Sequence, residues 1–148
     1  MHKLELSVQQ ASAASPCPVT RPRLRRWVLA ALNDDARLTL RFVGSRESRE
    51  LNLAYRGKDY ATNVLTFPYG SAPVEADIVI CMPVVRAEAR AQRKPLDHHL
   101  AHLVIHGVLH AQGHEHDDDD EAAEMEALET ALLRRFRIPD PYASPDAG

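Results

Sequence analysis

The chain has 148 residues and a formal net charge of −3 at pH 7, a length that suits one hydrophobic core rather than two. Its 45% hydrophobic content is too high for a disordered chain, and no apolar run approaches the roughly 18 residues of a membrane span. The near-neutral total hides a net of +5 over residues 1–70 against −8 over 71–148, and seven of the eight histidines fall between His98 and His116.

Met1 to Gln10 alternates polar and apolar residues instead of building the apolar core of a signal peptide, and Leu4, Leu6 and Val8 read as a half-buried strand. Leu24, Trp27, Val28, Ala31 and Leu32 then recur at helical spacing, with Arg21, Arg23, Arg25 and Arg26 on or beside the polar side. Leu38, Leu40 and Phe42 predict a second strand. Gly44-Ser45 opens a polar helix to about Arg56, with Gly57 as its stop. Val64 to Phe67 is a short strand. Ala76, Ile78, Ile80 and Met82 form the inner face of another, whose apolar Val79 and Cys81 imply that its outer face is partly covered. Pro83 starts a helix ending near Lys94-Pro95. Asp97 caps a long helix to Ala111 or Gln112, closed by Gly113. The last helix begins within Asp117–Asp120, and its buried stripe is Met125, Leu128, Leu132 and Phe136. The acidic run there lacks the glycine and alternation of a calcium loop and reads as a helix start. The order βαβαββααα predicts an α/β (α+β) domain with a small mixed four-stranded sheet and packed helices. Cys17 and Cys81 sit in no metal or redox motif, and with no secretory signal they are expected as free thiols in a cytoplasmic protein.

The helix beginning at Asp97 carries the chemistry. At about 100° per residue, Leu103, Val104, Gly107, Val108 and Ala111 fall within about 80° of Leu100, while His99, His102, His106 and His110 share another stripe about 80° wide. Two histidines four residues apart can meet at one ion. His102 and His110 lie roughly 12 Å apart along the axis, too far for both to reach one tetrahedral ion with bonds of about 2.0–2.1 Å. A third ligand must return from elsewhere, and Gly113 turns the chain toward His114 and His116. The favoured set is His106, His110 and His116, with His114 as the rival. Three neutral imidazoles and one open position are the composition of a catalytic zinc site. Gly107 stands where an H-E-x-x-H metallopeptidase carries its general base. Its two readings are close approach of a substrate or backbone, and tight helix packing.

Two blocks carry a family resemblance. One runs His106-Gly107-Val108-Leu109-His110-Ala111-Gln112-Gly113-His114-Glu115-His116, followed by Met125-Glu126-Ala127-Leu128-Glu129. The other runs Leu51-Asn52-Leu53-Ala54-Tyr55-Arg56-Gly57-Lys58-Asp59-Tyr60-Ala61-Thr62-Asn63-Val64-Leu65-Thr66-Phe67-Pro68. Together they resemble the YbeY family of bacterial rRNA maturation factors. The resemblance implies a zincin-like metallohydrolase, with residues 1–138 as a single metal-dependent endoribonuclease domain; from Pro139 onward, with Pro141 and Pro145, residues 139–148 read as a frayed C-terminal tail. It implies single-strand-specific RNA cleavage in small-subunit rRNA 3′-end maturation and ribosome quality control, with one zinc ion on His106, His110 and His116. It places Arg56 in the active-site cleft, and its implied partners are the small ribosomal subunit and the GTPase Era. The chain departs from the family pattern at His114, which replaces an aromatic residue and so is a spectator, a spare ligand or a proton donor.

Arg56 has the planar, permanently charged fork that suits phosphate. Arg21, Arg23, Arg25, Arg26, Arg37, Arg41, Arg46, Arg49 and Lys58 make the N-terminal half basic, as a phosphate-tracking surface is. The alternatives are a non-catalytic, zinc-stabilised ribosome-assembly factor and a zinc hydrolase of another substrate, against which the absent glutamate counts.

Overall fold

In a computed structural model that describes residues 2–11, 16–114 and 117–143, the chain runs β1 (Leu4–Gln10), α1 (Arg21–Ala31), β2 (Ala36–Val43), α2 (Ser45–Arg56), β3 (Val64–Ser71), β4 (Val74–Cys81), α3 (Met82–Ala91), α4 (Leu96–Ala111) and α5 (Asp119–Arg134). This is the predicted βαβαββααα order. The strands form one mixed four-stranded sheet in the order β1-β2-β4-β3. β1, β2 and β4 are parallel, and β3 joins β4 antiparallel as an edge.

Side-chain alternation decides the two faces. Leu4 and Leu6 of β1, Leu38, Leu40 and Phe42 of β2, and Ala76, Ile78 and Ile80 of β4 are buried in the main core with α1 and α4. The opposite face carries a smaller cluster of Val43, Leu65, Val79 and Cys81, against which Leu51 of α2 and Val84 of α3 pack. The partial cover read from Val79 and Cys81 is therefore real, and α2 supplies much of it. Cys17 and Cys81 are free thiols.

α4 is the central helix and touches α1, α3, α5, β3 and β4. Leu100, Ala101, Val104, Ile105 and Val108 have no solvent exposure. Gly107 allows this approach. A Cβ there would stand 2.8 Å from Ile78 Cγ2 and 3.4 Å from Thr66 Oγ1, so of its two readings the packing one holds. Two glycines at positive φ end the helices flanking the cleft, Gly57 after α2 (φ 69°) and Gly113 after α4 (φ 92°). At Gly113 the His114 N–H donates to the Leu109 carbonyl and the Gly113 N–H to that of His110, a Schellman turn.

Several boundaries differ from expectation. α4 is capped by Pro95, whose fixed φ prepares the helix start, while Asp97 lies in the first turn and accepts from the His98 N–H and from Arg23. β3 continues through a bulge at Tyr69 to Ser71. Met82 opens α3 because Pro83 sits in that helix's first turn. The buried stripe of α5 is Met125, Glu129, Leu132 and Leu133, while Leu128 and Phe136 are half-buried. Its start is as predicted, with Asp118 accepting from the Glu121 N–H at 2.8 Å. Of the expected tail, residues 144–148 lie outside the described residues, and 139–143 fold back so that Pro141 accepts from Lys94 Nζ. Among the described residues, no helix is long and apolar enough to cross a membrane.

Candidate metal centre and cleft

The predicted histidine stripe exists, and its rings form a ladder. Centroids stand 6.3 Å apart from His99 to His102, 6.3 Å from His102 to His106, and 6.0 Å from His106 to His110. What differs along the ladder is the partner of each ring. His99 is buried and donates through Nε2 to Glu88 Oε1 at 3.0 Å. Its Nδ1 has no partner among the described residues. Burial pushes its pKa down, against the opposing pull of Glu88. His102 Nε2 lies 3.2 Å from Glu129 Oε1 and 3.1 Å from the Tyr142 hydroxyl. His106 turns its other nitrogen, Nδ1, to the same carboxylate, at 3.3 and 3.2 Å from the two oxygens. His110 donates through Nδ1 to the His114 carbonyl at 3.0 Å.

Glu129 is a fully buried carboxylate on the core stripe of α5. The Tyr142 hydroxyl donates to it at 2.6 and 3.1 Å. Burial alone would raise its pKa, yet the hydrogen bonds from His102, His106 and Tyr142 win and hold it at about 2. Tyr142 is driven upward by burial and by donating to that carboxylate. Ligand atoms of His102, His106 and Glu129 all lie within 4.8 Å of one another, so the cluster could hold a metal ion. Sequence reasoning assigned Glu129 no role. The available signal was a carboxylate four residues after Met125, on the helix face that should be apolar.

His106 and His110 also face a cleft of about 580 Å³, whose wall includes Arg56, Tyr55 and Asp117 together with residues 62–67. Three of the sequence-predicted site residues, His106, His110 and Arg56, therefore meet at one cavity although α2 and α4 are some 40 residues apart in sequence. Arg56 is brought there by its place at the end of α2, where Gly57 turns the chain away. His114 is half-buried, and its carbonyl orients His110. His116 lies outside the described residues.

The arginines behave less uniformly than the basic N-terminal half suggested. Arg21 and Arg25 donate to the Leu6 and Leu4 carbonyls, and Arg23 pairs with Asp97 and stacks over Trp27. Arg37, Arg41, Arg46 and Arg49 pair with Glu5, Glu47, Glu50 and Asp59. These seven are tied to the fold or to acids, because strands and helices bring carbonyls and carboxylates beside them. Arg56, by contrast, is exposed and has no ion-pair partner among the described residues.

The donor chemistry fits a borderline-soft divalent ion. A carbonyl can only accept, so the His110 proton is on Nδ1, and the ionised Glu129 favours the same tautomer for His106. Both ring lone pairs are then on Nε2. A histidine whose second nitrogen is held by a carboxylate or carbonyl is the usual form of a metal-ligating imidazole.

A family model described as Endoribonuclease YbeY matches residues 17–137. An Endoribonuclease YbeY from Cupriavidus pinatubonensis is 56% identical over 147 residues, covering 94% of this chain and 72% of its own length. Another, from Thiobacillus denitrificans, is 54% identical over 145 residues, covering 96% and 98%. The solution structure of TM1509 from Thermotoga maritima has the same fold, with a TM-score of 0.57 at 22% identity over 97% of this chain and 99% of that one. With the family model spanning both the histidine helix and the Arg56 segment, and with more than half the residues identical across nearly the whole chain, the protein belongs to the endoribonuclease YbeY family.

Proposed function

We propose that this chain is a zinc-dependent, single-strand-specific endoribonuclease acting in small-subunit rRNA 3′-end maturation and ribosome quality control. One zinc ion is held by His106, His110 and His116. The substrate is single-stranded rRNA, in the cytoplasm, and the partners are the small ribosomal subunit and the GTPase Era.

The observation that carries this reading is the shared cavity of Arg56 with His106 and His110. The His102–His106–Glu129 cluster is the rival metal position. Its carboxylate has no solvent exposure, and His102 lines a different cavity together with His98 and His99. An ion that acts on RNA must meet the substrate, which favours the open side of His106 over the buried one. Glu129 then serves as the carboxylate that orients His106, and the His114 carbonyl does the same for His110.

Zinc bound there would supply Lewis acidity to a phosphoryl oxygen. Arg56 lines the same cleft, and its fork can take two oxygens of one phosphate and offset the charge that builds during displacement. His114 is proposed as a proton donor only from its place beside the turn, where its carbonyl holds His110; it is not among the described residues that line the cleft. Gly107 cannot be replaced by the glutamate of a peptidase without striking Ile78, which favours RNA over a peptide as substrate.

The test is cleavage of a labelled single-stranded RNA carrying a small-subunit rRNA 3′ end, with zinc-loaded protein, with chelator, and with His110→Ala and Arg56→Ala. Cleavage should vanish with chelator and with His110→Ala, and fall about 10²- to 10³-fold with Arg56→Ala. No cleavage by the loaded protein would overturn the reading. Equal cleavage by His110→Ala would do the same, since it would point to a contaminating nuclease.

A further inference from the structure

The outer face of the sheet is only half covered. α2 packs over the end formed by Val43, Leu65, Val79 and Cys81. Beyond it lies a shallow cavity of about 360 Å³, lined by Thr39, Arg41, Asp77, Phe67, Tyr55 and Tyr69 among others. Tyr55 and Phe67 also line the histidine cleft, so the two cavities adjoin at these residues.

Two large aromatic rings stand open here. Tyr55 is 69% exposed and Tyr69 66%. Neither ring hangs loose. Phe67 meets Tyr55 edge-on at 5.0 Å, and the Tyr69 hydroxyl donates to Asp77 Oδ2 at 2.6 Å. Tyr69 is also the extra residue where the β3–β4 register shifts between Pro68 and Gly70. Such a bulge re-aims one side chain away from the regular alternation. Rings held in place before binding lose little entropy when a flat partner stacks on them.

Charge decides what kind of partner fits. Arg41 is engaged bidentately by Glu47, at 2.6 and 3.0 Å, and Asp77 adds a further carboxylate. This cavity therefore suits no polyanionic backbone. It offers π-faces flanked by the Tyr69 hydroxyl and the Asp77 carboxylate, groups that match the edges of an uncharged heterocycle.

We propose that Tyr55 and Tyr69 form a nucleobase-stacking shelf that takes an unpaired base of the RNA strand whose phosphate lies in the Arg56–histidine cleft. This deepens the ribonuclease reading and rests on it. Backbone charge is met in the cleft and a base on the shelf. Bases in a duplex are already stacked and paired, so the shelf selects single strands.

The experiment measures binding of a cleavage-resistant 2′-O-methyl single-stranded oligonucleotide to the zinc-loaded protein by fluorescence anisotropy, beside Tyr55→Ala, Tyr69→Ala and Tyr69→Phe, each checked for zinc content and melting temperature. Each alanine variant should bind about tenfold more weakly or worse, and Tyr69→Phe should restore most of the affinity because it keeps the π-face. Moving an abasic site along the oligonucleotide should reveal one position where removing the base weakens wild-type binding but no longer matters in Tyr69→Ala. Unchanged affinity in both alanine variants, with wild type binding and cleaving RNA, would overturn the shelf and leave the ribonuclease intact. An abasic penalty that is the same in wild type and Tyr69→Ala would overturn it too. Absence of any RNA binding or cleavage by wild type would overturn both.

Discussion

The two ends of one histidine stripe show how the same residue type is put to different uses by what stands opposite. At the N-terminal end of α4, His99 and His102 spend their Nε2 protons on Glu88 and Glu129, and their Nδ1 atoms are buried without a partner among the described residues. At the C-terminal end, His106 and His110 point Nδ1 inward, to Glu129 and to the His114 carbonyl, and line the cleft shared with Arg56. A helix repeats its side-chain direction every turn, so backbone geometry alone would treat all four alike. The inward acceptors break that equivalence. They favour one tautomer at each ring, and they separate the two rings that line the Arg56 cleft from the two that do not.

The sharpest way to break the comparison is to remove one ring from each end. His106→Ala should abolish stoichiometric zinc binding, while His102→Ala should retain it, as read by metal analysis of protein purified with zinc. Equal loss in both would move the ion to the His102–His106–Glu129 cluster. His116→Ala should likewise lose zinc and His114→Ala keep it, and the reverse result would exchange their roles.

Glu129 bridges the two ends and should carry the next largest effect. Glu129→Ala leaves buried ring N–H groups without an acceptor, and should cost about 3 kcal/mol in a denaturant titration of the zinc-free protein. Glu129→Gln preserves volume and one acceptor oxygen, and should weaken zinc by about 10- to 100-fold in a chelator competition. Unchanged zinc affinity in Glu129→Gln would show that the carboxylate does not orient His106.

Gly107 tests the packing between the ends. A methyl group there gains about 1 kcal/mol in helix propensity but strikes the buried, β-branched Ile78, 2.8 Å from the new Cβ. Overpacking should win, and Gly107→Ala should lower stability by about 1–2 kcal/mol net. The double variant Gly107→Ala/Ile78→Val leaves Cγ2 in place and should recover little, whereas Ile78→Ala in the same background should relieve the clash at the expense of a cavity.

The smallest effect is a pH dependence at the buried end. Burial holds the His99 pKa below its ordinary value of 6.5, so the unfolded chain takes up a proton there that the folded one resists. The stability from keeping this ring neutral is present above about pH 6.5 and is lost as pH falls through the lowered folded value. Wild type should therefore lose more stability than His99→Gln between pH 7.5 and pH 5.5, by about 1 kcal/mol or less in urea titrations. Parallel losses would place the titration elsewhere.

Much of the fold was legible because its signals are local. Leu38, Leu40 and Phe42 alternate, Leu24, Trp27, Val28 and Ala31 recur at helical spacing, and all seven are buried. Gly57 and Gly113 end helices because left-handed backbone favours glycine there. Errors arose where the deciding contact is distant. Asp97 looked like a cap because it is an acid before an apolar run, but it answers Arg23 from another helix. Leu128 looked more suitable for the core than Glu129, until His102, His106 and Tyr142 are seen to supply the donors that let a carboxylate be buried. The basic character of the first 50 residues was legible too, but not that most of these arginines face acids or carbonyls that only the folded sheet and helices bring near.

The sequence by itself determined the element order, the histidine stripe, and the spacing that sets His106 and His110 one turn apart, since these follow from the 3.6-residue period and from local propensity. Only the tertiary structure decided the rest. It placed Arg56 from α2 in the same cleft as two rings from α4, aimed Glu129 from α5 at the inner side of His106, and left part of one sheet face uncovered beside Tyr55 and Tyr69. Those relations depend on how helices pack across a sheet, and no spacing along the chain encodes them.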